Sequence, residues 1–334
     1  MRERTLLFAP DLGPNFDDFG IDIPINADRA LRVHATLGKK YPEAFLLIGK
    51  NEAKLSEEDL KLAHTADYIS FLTNPQTTEA ALERAYELRD GHGRPHRYRP
   101  DEARRKLGEM LPELLGQAGA THLAMVRALE TGFAFFLGGG MHHAMSDRSH
   151  GFCPINDIVI GLRKLKQEKQ IARAWVIDID AHKGDGTAEI TLADESILTL
   201  SIHMAKGWPL DGPAENNPSF IPSTIDIPIG RGEEASYLEK LERGLEKLAD
   251  LAPADLAIVV DGADPYELDG LQSSGALKLS REQMLARDMM VYNFLKERGI
   301  PYCGVMAGGY GPHAADVYIQ FLEQVLKLRG EARV

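Results

Sequence analysis

Ala174-Trp175-Val176-Ile177-Asp178-Ile179-Asp180-Ala181-His182 runs from four apolar residues directly into two carboxylates and an imidazole. In an extended chain, side chains at i, i+2 and i+4 share a face, so Asp178, Asp180 and His182 converge at one strand end. Hard carboxylate oxygen together with imidazole nitrogen suits zinc or another first-row divalent ion. A buried strand end whose acids cap a following helix would carry the same letters, so the other strand ends decide the matter.

Working outward, short apolar strands alternate with amphipathic helices, with no internal repeat and no low-complexity linker. Strands are expected at 5–9, 133–137, 174–177, 197–202, 256–260 and 302–306. Helices are expected at 30–39, within 56–72, and at 77–88, 102–115, 155–168, 234–250, 281–298 and 315–328. Ser56 with Asp59 and Ser280 with Gln283 have capping-box spacing, and Gly299 closes a helix. Gly91, Gly93, Pro95 and Pro100 mark residues 90–100 as a loop. This alternation predicts an α/β fold: three α/β/α layers around a central, mainly parallel sheet, in one domain spanning 1–334.

In such a sheet, ligands bind beyond the carboxyl ends of the strands, and the polar residues gather there. Gly138-Gly139-Gly140-Met141-His142-His143 follows one strand; Asp178, Asp180, His182 and Asp185 follow the next. Asp261-Gly262-Ala263-Asp264 and Gly308-Gly309-Tyr310 follow two more. Taken singly, the histidine pair reads as core or surface, the glycines as turn geometry, and Tyr310 as a half-buried aromatic. Neither glycine run has the form of a phosphate-binding loop. Together the four ends supply what metal-assisted amide hydrolysis needs: three ligands with open positions, a histidine base and a hydroxyl donor for the oxyanion.

Composition bounds the partners. With 44% hydrophobic and 26% charged residues among 334, the chain reads as a soluble globular protein. A formal charge of −12 argues against direct nucleic-acid binding, which needs a basic face, and tolerates cationic substrates such as lysine-rich segments or polyamines. Two cysteines, Cys153 and Cys303, make no disulfide framework and imply a reducing, cytoplasmic setting. No signal peptide and no membrane-spanning run is read.

The chain resembles the histone deacetylase family of the arginase-deacetylase superfamily. The resemblance rests on Gly138 to Ala144, Gly151-Phe152-Cys153, Asn156-Asp157, Asp178 to Gly186, Gly262-Ala263-Asp264 and Gly308-Gly309-Tyr310, in the family's order. Softer similarity reaches Asp28-Arg29-Ala30 and His64 to Tyr68. The resemblance implies Asp180, His182 and Asp264 as ligands of zinc, with ferrous iron as the alternative. It implies His142 and His143 as the tandem histidines beside the metal, and Asp178 and Asp185 as the acids that hydrogen-bond them. Tyr310 is implied as the phenol that polarises the substrate carbonyl. Phe152 and Trp208 would wall an acyl-lysine tunnel, with Gly151 offering a backbone carbonyl and Leu271 closing the mouth. Arg29 would line an internal product channel. The carbonyls of Asp178, Asp180 and His182, with Ser201 and Ile202, would hold structural potassium. The implied substrate is an acylated lysine in a peptide or protein, or an acylated small amine.

Ser146-Asp147-Arg148 and Ala181 are more similar to the class IV branch than to class I. Lys183 replaces the usual second histidine, Pro154 a tyrosine, and Pro209-Leu210-Asp211-Gly212 and Leu268-Asp269-Gly270-Leu271 depart from the family's loops. None of these is a metal ligand. An acetylpolyamine amidohydrolase is the near alternative. A dinuclear-manganese ureohydrolase shares Asp180-Ala181-His182, but Val259 stands where that branch would place an aspartate. A silent acyl-binding protein would have no need of Tyr310, both histidines and all three ligands.

Overall fold

The structure, a computed structural model, describes residues 3–25, 28–211 and 221–330. Strands β1 (Leu6–Phe8), β2 (Phe45–Leu47), β3 (Phe133–Phe136), β4 (Ala174–Asp178), β5 (Ile197–Met204), β6 (Ile225–Ile229), β7 (Leu256–Asp261) and β8 (Tyr302–Met306) form one sheet. Their order is β2-β1-β3-β8-β7-β4-β5-β6, and every neighbouring pair is parallel. The expected α/β/α arrangement is thus present, with a sheet that is wholly parallel.

The strands are apolar on both faces because both faces are covered. Phe133, Phe135, Trp175, Ile177, Ala257 and Val259 point into one core with the helices Arg29–Lys40, Tyr237–Leu251, Arg281–Glu297 and Ala314–Leu328. Their alternates Ala134, Phe136, Ala174, Val176, Ile258 and Val260 point into a second core with the helices Leu111–Thr131 and Asp157–Gln167. Each large side chain so buried contributes about 1.5–3 kcal/mol. The rigid double-faced sheet fixes where its strand ends lie.

Both capping boxes form, at Ser56 with Asp59 and at Ser280 with Gln283. Other expectations are corrected. The helix expected at 102–115 is instead Leu111–Thr131, preceded by short 3-10 turns at Pro100–Glu102 and Leu107–Met110. Pro112 belongs at its first turn, where a missing N–H costs nothing, and its face is small rather than bulky. A Cβ on Gly119 would lie 2.5 Å from the Ala53 carbonyl oxygen, so close packing replaces the usual leucine stripe. Edge strands β2 and β6 were not expected. β2 has three residues, and β6 carries Pro228, which an edge tolerates. The helix Asp185–Thr191 was also unforeseen. Among the described residues no helix is long and apolar enough to cross a membrane.

Candidate active site

Because the strands run parallel, the carboxyl ends of β3, β8, β7 and β4 lie side by side on one edge of the sheet. Asp180 and His182 follow β4, and Asp264 follows β7. Backbone bonds hold them in register: Asp180 Oδ1 accepts the His182 N–H at 2.9 Å, and Asp264 Oδ1 accepts the Ala181 N–H at 3.0 Å. One ligand atom from each of the three buried residues lies within 4.8 Å of the others, the one such group among the described residues. His182 Nδ1 stands 3.2 Å from Asp180 Oδ1 and 2.9 Å from Asp264 Oδ2. A Cβ at residue 308 would lie 2.4 Å from Asp180 Oδ2 and 2.8 Å from Asp264 Oδ2, so only Gly308 fits beside the two carboxylates.

This donor set fits a divalent cation. Burial opposes charge on His182, yet Asp180 and Asp264 pull its pKa up to about 10. Burial and then the Asp180 charge push Asp264 upward. Two carboxylates packed against one another demand positive charge between them, and a metal held by these three residues supplies it. Val259, by contrast, is fully buried in an apolar core and provides no ligand for a second ion.

The paired histidines are held by separate acids. The ring of His142 meets Asp178 Oδ2 through Nδ1 at 2.7 Å, and the ring of His143 meets Asp185 Oδ1 through Nδ1 at 2.7 Å. Their centroids are 3.9 Å apart, so two positive charges there would repel. Burial works against charge on both rings. For His142 it is outweighed by Asp178 and Asp180, which raise its pKa to about 9. For His143 burial is reinforced by the His142 charge and lowers the pKa to about 3. With Nδ1–H donated to Asp185, His143 keeps Nε2 free to accept a proton.

One cavity is lined by His142, His143, Asp180, His182, Phe152 and Tyr310. Gly151 and Arg29 reach the same cavity. Burial drives the Tyr310 phenol well above its ordinary range, with Asp264 and Asp180 adding to the shift, so it stays a donor. Arg29 donates to the carbonyls of Gly309 at 3.0 Å and Met306 at 3.1 Å. Trp208 packs on His143 at 4.5 Å and on His182 at 5.6 Å between ring centroids. Ser201 and Ile202 are buried in β5, and Ser201 pairs in register with Asp178. Leu271 is not brought to the cavity; it lines a separate cleft with Tyr266, Glu267 and Asp269. From the same loop Ser273 Oγ approaches His182 Nε2 at 3.3 Å. Of the departing loop Pro209 to Gly212, Gly212 lies outside the described residues.

Several contributors escaped the sequence reading. Asp269 accepts the N–H groups of Tyr310 at 2.7 Å and Leu271 at 2.8 Å, and so ties the phenol's loop to its neighbour. Arg287, fully buried, donates to the carbonyls of Ile179 and Gly262 at 2.9 Å each and pairs with Asp261 at 2.8 Å. It joins the two loops that bear the metal ligands. Nothing local in the sequence marks an arginine in the middle of a helix for that role. Asp269 had a signal, a carboxylate in a Gly-containing turn two residues before Leu271.

Fold and site together define a parallel α/β protein with a buried Asp-His-Asp metal site at the carboxyl edge of its sheet. The chain belongs to the histone deacetylase family, whose histone deacetylase domain it matches over residues 23–326. Histone deacetylase 2 of Arabidopsis thaliana is 29% identical over 270 residues, covering 81% of this chain and 65% of that protein. The chain therefore spans just under two thirds of that relative's length. A crystal structure of an HDAC homolog from Aquifex aeolicus superposes with a TM-score of 0.71 at 23% identity, over 98% of this chain and 84% of that one. A structure of an HDAC homolog complexed with SAHA gives 0.72 at 24% identity with the same coverage. At these identities the two structures speak for the fold.

Proposed function

We propose that this chain, as one catalytic domain, hydrolyses the amide of N-acylated amines, with N-ε-acyl-lysine in peptides or proteins as the substrate class. One observation carries the reading: two members of a buried Asp-His-Asp metal-binding group line one cavity with two carboxylate-backed histidines and a protonated phenol. Metal held by Asp180, His182 and Asp264, zinc in the first place and ferrous iron in the second, would supply Lewis-acid polarisation and a more acidic water.

The chain's own groups do the rest. His143 accepts the proton of the attacking water at Nε2, since its Nδ1–H is committed to Asp185. Tyr310 donates a hydrogen bond from its hydroxyl to the carbonyl oxygen as that oxygen gains charge, and keeps its proton throughout. When the C–N bond breaks, an imidazole of the pair returns a proton to the leaving amine. Phe152 lines the approach, Trp208 packs on the His143 and His182 rings and shields them from water, and Arg29 holds the loop carbonyls on the inner side. Potassium at the carbonyls of Asp178, Asp180 and His182, with Ser201 and Ile202, belongs to the same reading, supported by the Asp178–Ser201 register. The likeness of Ser146-Asp147-Arg148 to the class IV branch extends it to acyl chains longer than acetyl. Free, buried Cys153 and Cys303 suit a reducing cytoplasm.

A panel of acyl-lysine peptides and acetylpolyamines, run with metal analysis of the same preparation, tests the proposal. Hydrolysis that tracks bound zinc or iron supports it, and a fully metal-loaded protein inert on every acylated amine sinks it.

A further inference from the structure

Asp185 is fully buried, and its two oxygens are used unequally. Oδ1 meets His143 Nδ1 at 2.7 Å and accepts the Gly186 N–H at 3.0 Å. Oδ2 is buried too, makes no hydrogen bond of good angular geometry, and faces Nε2 of His150 at 3.2 Å. His150 lies outside the strand-end clusters. Its backbone is fixed by a two-way bridge with Cys153, N–H to carbonyl at 3.1 Å and the reverse at 2.9 Å. Its ring leans on Trp208 at 5.1 Å and meets the edge of His143 at 6.3 Å, while Trp208 itself touches His143 at 4.5 Å. His143, Asp185, His150 and Trp208 therefore close a ring of contacts. The His150 side chain is 31% exposed and Asp185 not at all, so within that ring the imidazole of His150 links the buried carboxylate to the surface.

A carboxylate anchored through one oxygen can still rotate about its Cβ–Cγ bond, and any imidazole bonded to it swings in turn. A second anchor on the other oxygen stops that rotation, which is how an outer hydrogen-bond partner sets the aim of a functional ring. We propose that His150 is a positioning residue for His143. Through Oδ2 it fixes the plane of Asp185, and thereby the direction in which His143 presents Nε2 to the cavity. A ring that served only as a wall behind Trp208 would need no nitrogen facing Asp185.

The inference rests on the amide-hydrolysis reading, and its test separates the two. His150→Ala and His150→Gln are compared with wild type in the zinc-loaded full chain, with thermal unfolding and metal content measured alongside. His150→Ala should lower kcat about tenfold while KM for an acyl-lysine peptide stays within about twofold. His150→Gln, whose amide N–H can reach Oδ2, should recover most of the loss. An unchanged kcat, a loss confined to KM, or a Gln variant no better than Ala each overturns the proposal. The second readout needs no turnover: the NMR resonance of the His143 Nδ1–H, bonded to Asp185, should move in His150→Ala and return in His150→Gln. If it stays put, His150 does not position His143, whatever the activity. If it moves while wild type hydrolyses no acylated amine, the functional reading fails and the positioning role stands.

Discussion

The Asp157 carboxylate accepts the Met141 N–H at 2.7 Å on Oδ1. Its Oδ2 accepts the Gly140 N–H at 2.9 Å and the Thr121 hydroxyl at 2.5 Å. The first residue of the helix Asp157–Gln167 thus grips the loop that carries His142 and His143. The positive end of the helix favours a carboxylate there, although burial pushes its pKa upward. Asp157→Ala would strand two buried N–H groups, each costing about 1–3 kcal/mol. We expect a loss of roughly 2–6 kcal/mol in denaturant unfolding, together with a drop in kcat of about tenfold or more as the histidines lose their seat. A variant as stable as wild type would show that the loop is held from elsewhere.

Tyr310 and His143 should fail in a way that separates them from the ligands. A phenol bonded to a developing oxyanion acts chiefly in the transition state, so Tyr310→Phe is expected to cost about 10²-fold or more in kcat. His143→Ala, which removes a base, should be comparably damaging. Both variants should keep their metal, because neither side chain is a ligand. Near-normal turnover in Tyr310→Phe would remove the phenol from the mechanism.

Metal stoichiometry discriminates the single-ion site from a dinuclear one. With Val259 buried among apolar neighbours, we expect one tightly bound transition metal per chain, lost in Asp264→Ala. Stripping it with a chelator should lower Tm, since an ion that binds only the folded state stabilises that state by mass action, and Asp180 and Asp264 would be left facing one another. Two manganese ions per chain with urea released from arginine or agmatine would favour the ureohydrolase alternative.

His64 makes acid sensitivity predictable. Its Nε2 accepts the Asn156 N–H at 2.9 Å and its Nδ1 contacts the Met145 carbonyl at 2.9 Å. The ring is therefore neutral, with its proton on Nδ1. Burial lowers its pKa from 6.5 to about 4, against the pull of the Met145 and Ser146 backbone. The unfolded chain takes up this proton first as pH falls, so stability is complete above about pH 6.5 and declines toward pH 4. Between pH 7 and 4.5 this one group should cost about 2.5 kcal/mol. His64→Gln, which can make both bonds without titrating, should lose that much less over the same range in unfolding measurements. Equal acid losses in the two proteins would show that other groups carry the sensitivity.

What the sequence disclosed follows from the range of each interaction. Asp178, Asp180 and His182 were legible because they sit at alternate positions running on from a strand end, where an extended chain keeps such residues on one side. Asp264 and Tyr310 needed only the inference that parallel strands end together. The helix Leu111–Thr131 was misplaced because it packs through Gly116 and Gly119, which weaken the helical signal where the structure most needs close approach. Arg287 and His150 were invisible for another reason, and Asp269 showed only its place in a Gly-containing turn. Each acts on residues 25 to 108 positions away or across a turn, and no local pattern encodes such a pairing. The residue expected at a substrate mouth fares the same way: Leu271 shares a loop with Ser273, yet Ser273 is the one that approaches His182.

Substrate class can be tested at the rim. A polyamine-selective site needs an acid placed for the distal ammonium, and the acids lining the cavity are Asp180, a metal ligand, and Asp28, which adjoins Arg29 in sequence. The guanidinium of Arg97 sits 5.7 Å from the centroid of the Phe152 ring, which lines the cavity, in a cation–π contact, and 3.7 Å from Glu87, which offsets part of its charge. Free polyamines carry their own positive charges and should be disfavoured, whereas the backbone of an acyl-lysine peptide is neutral. We expect higher kcat/KM for acyl-lysine peptides than for acetylputrescine or acetylspermidine, and Arg97→Glu should move the ratio toward the polyamines. In competition assays, a wild-type preference for acetylpolyamines of tenfold, about 1.4 kcal/mol in transition-state binding, would refute this view of the rim. It would direct attention to Glu267 and Asp269, which line the neighbouring cleft beside Leu271.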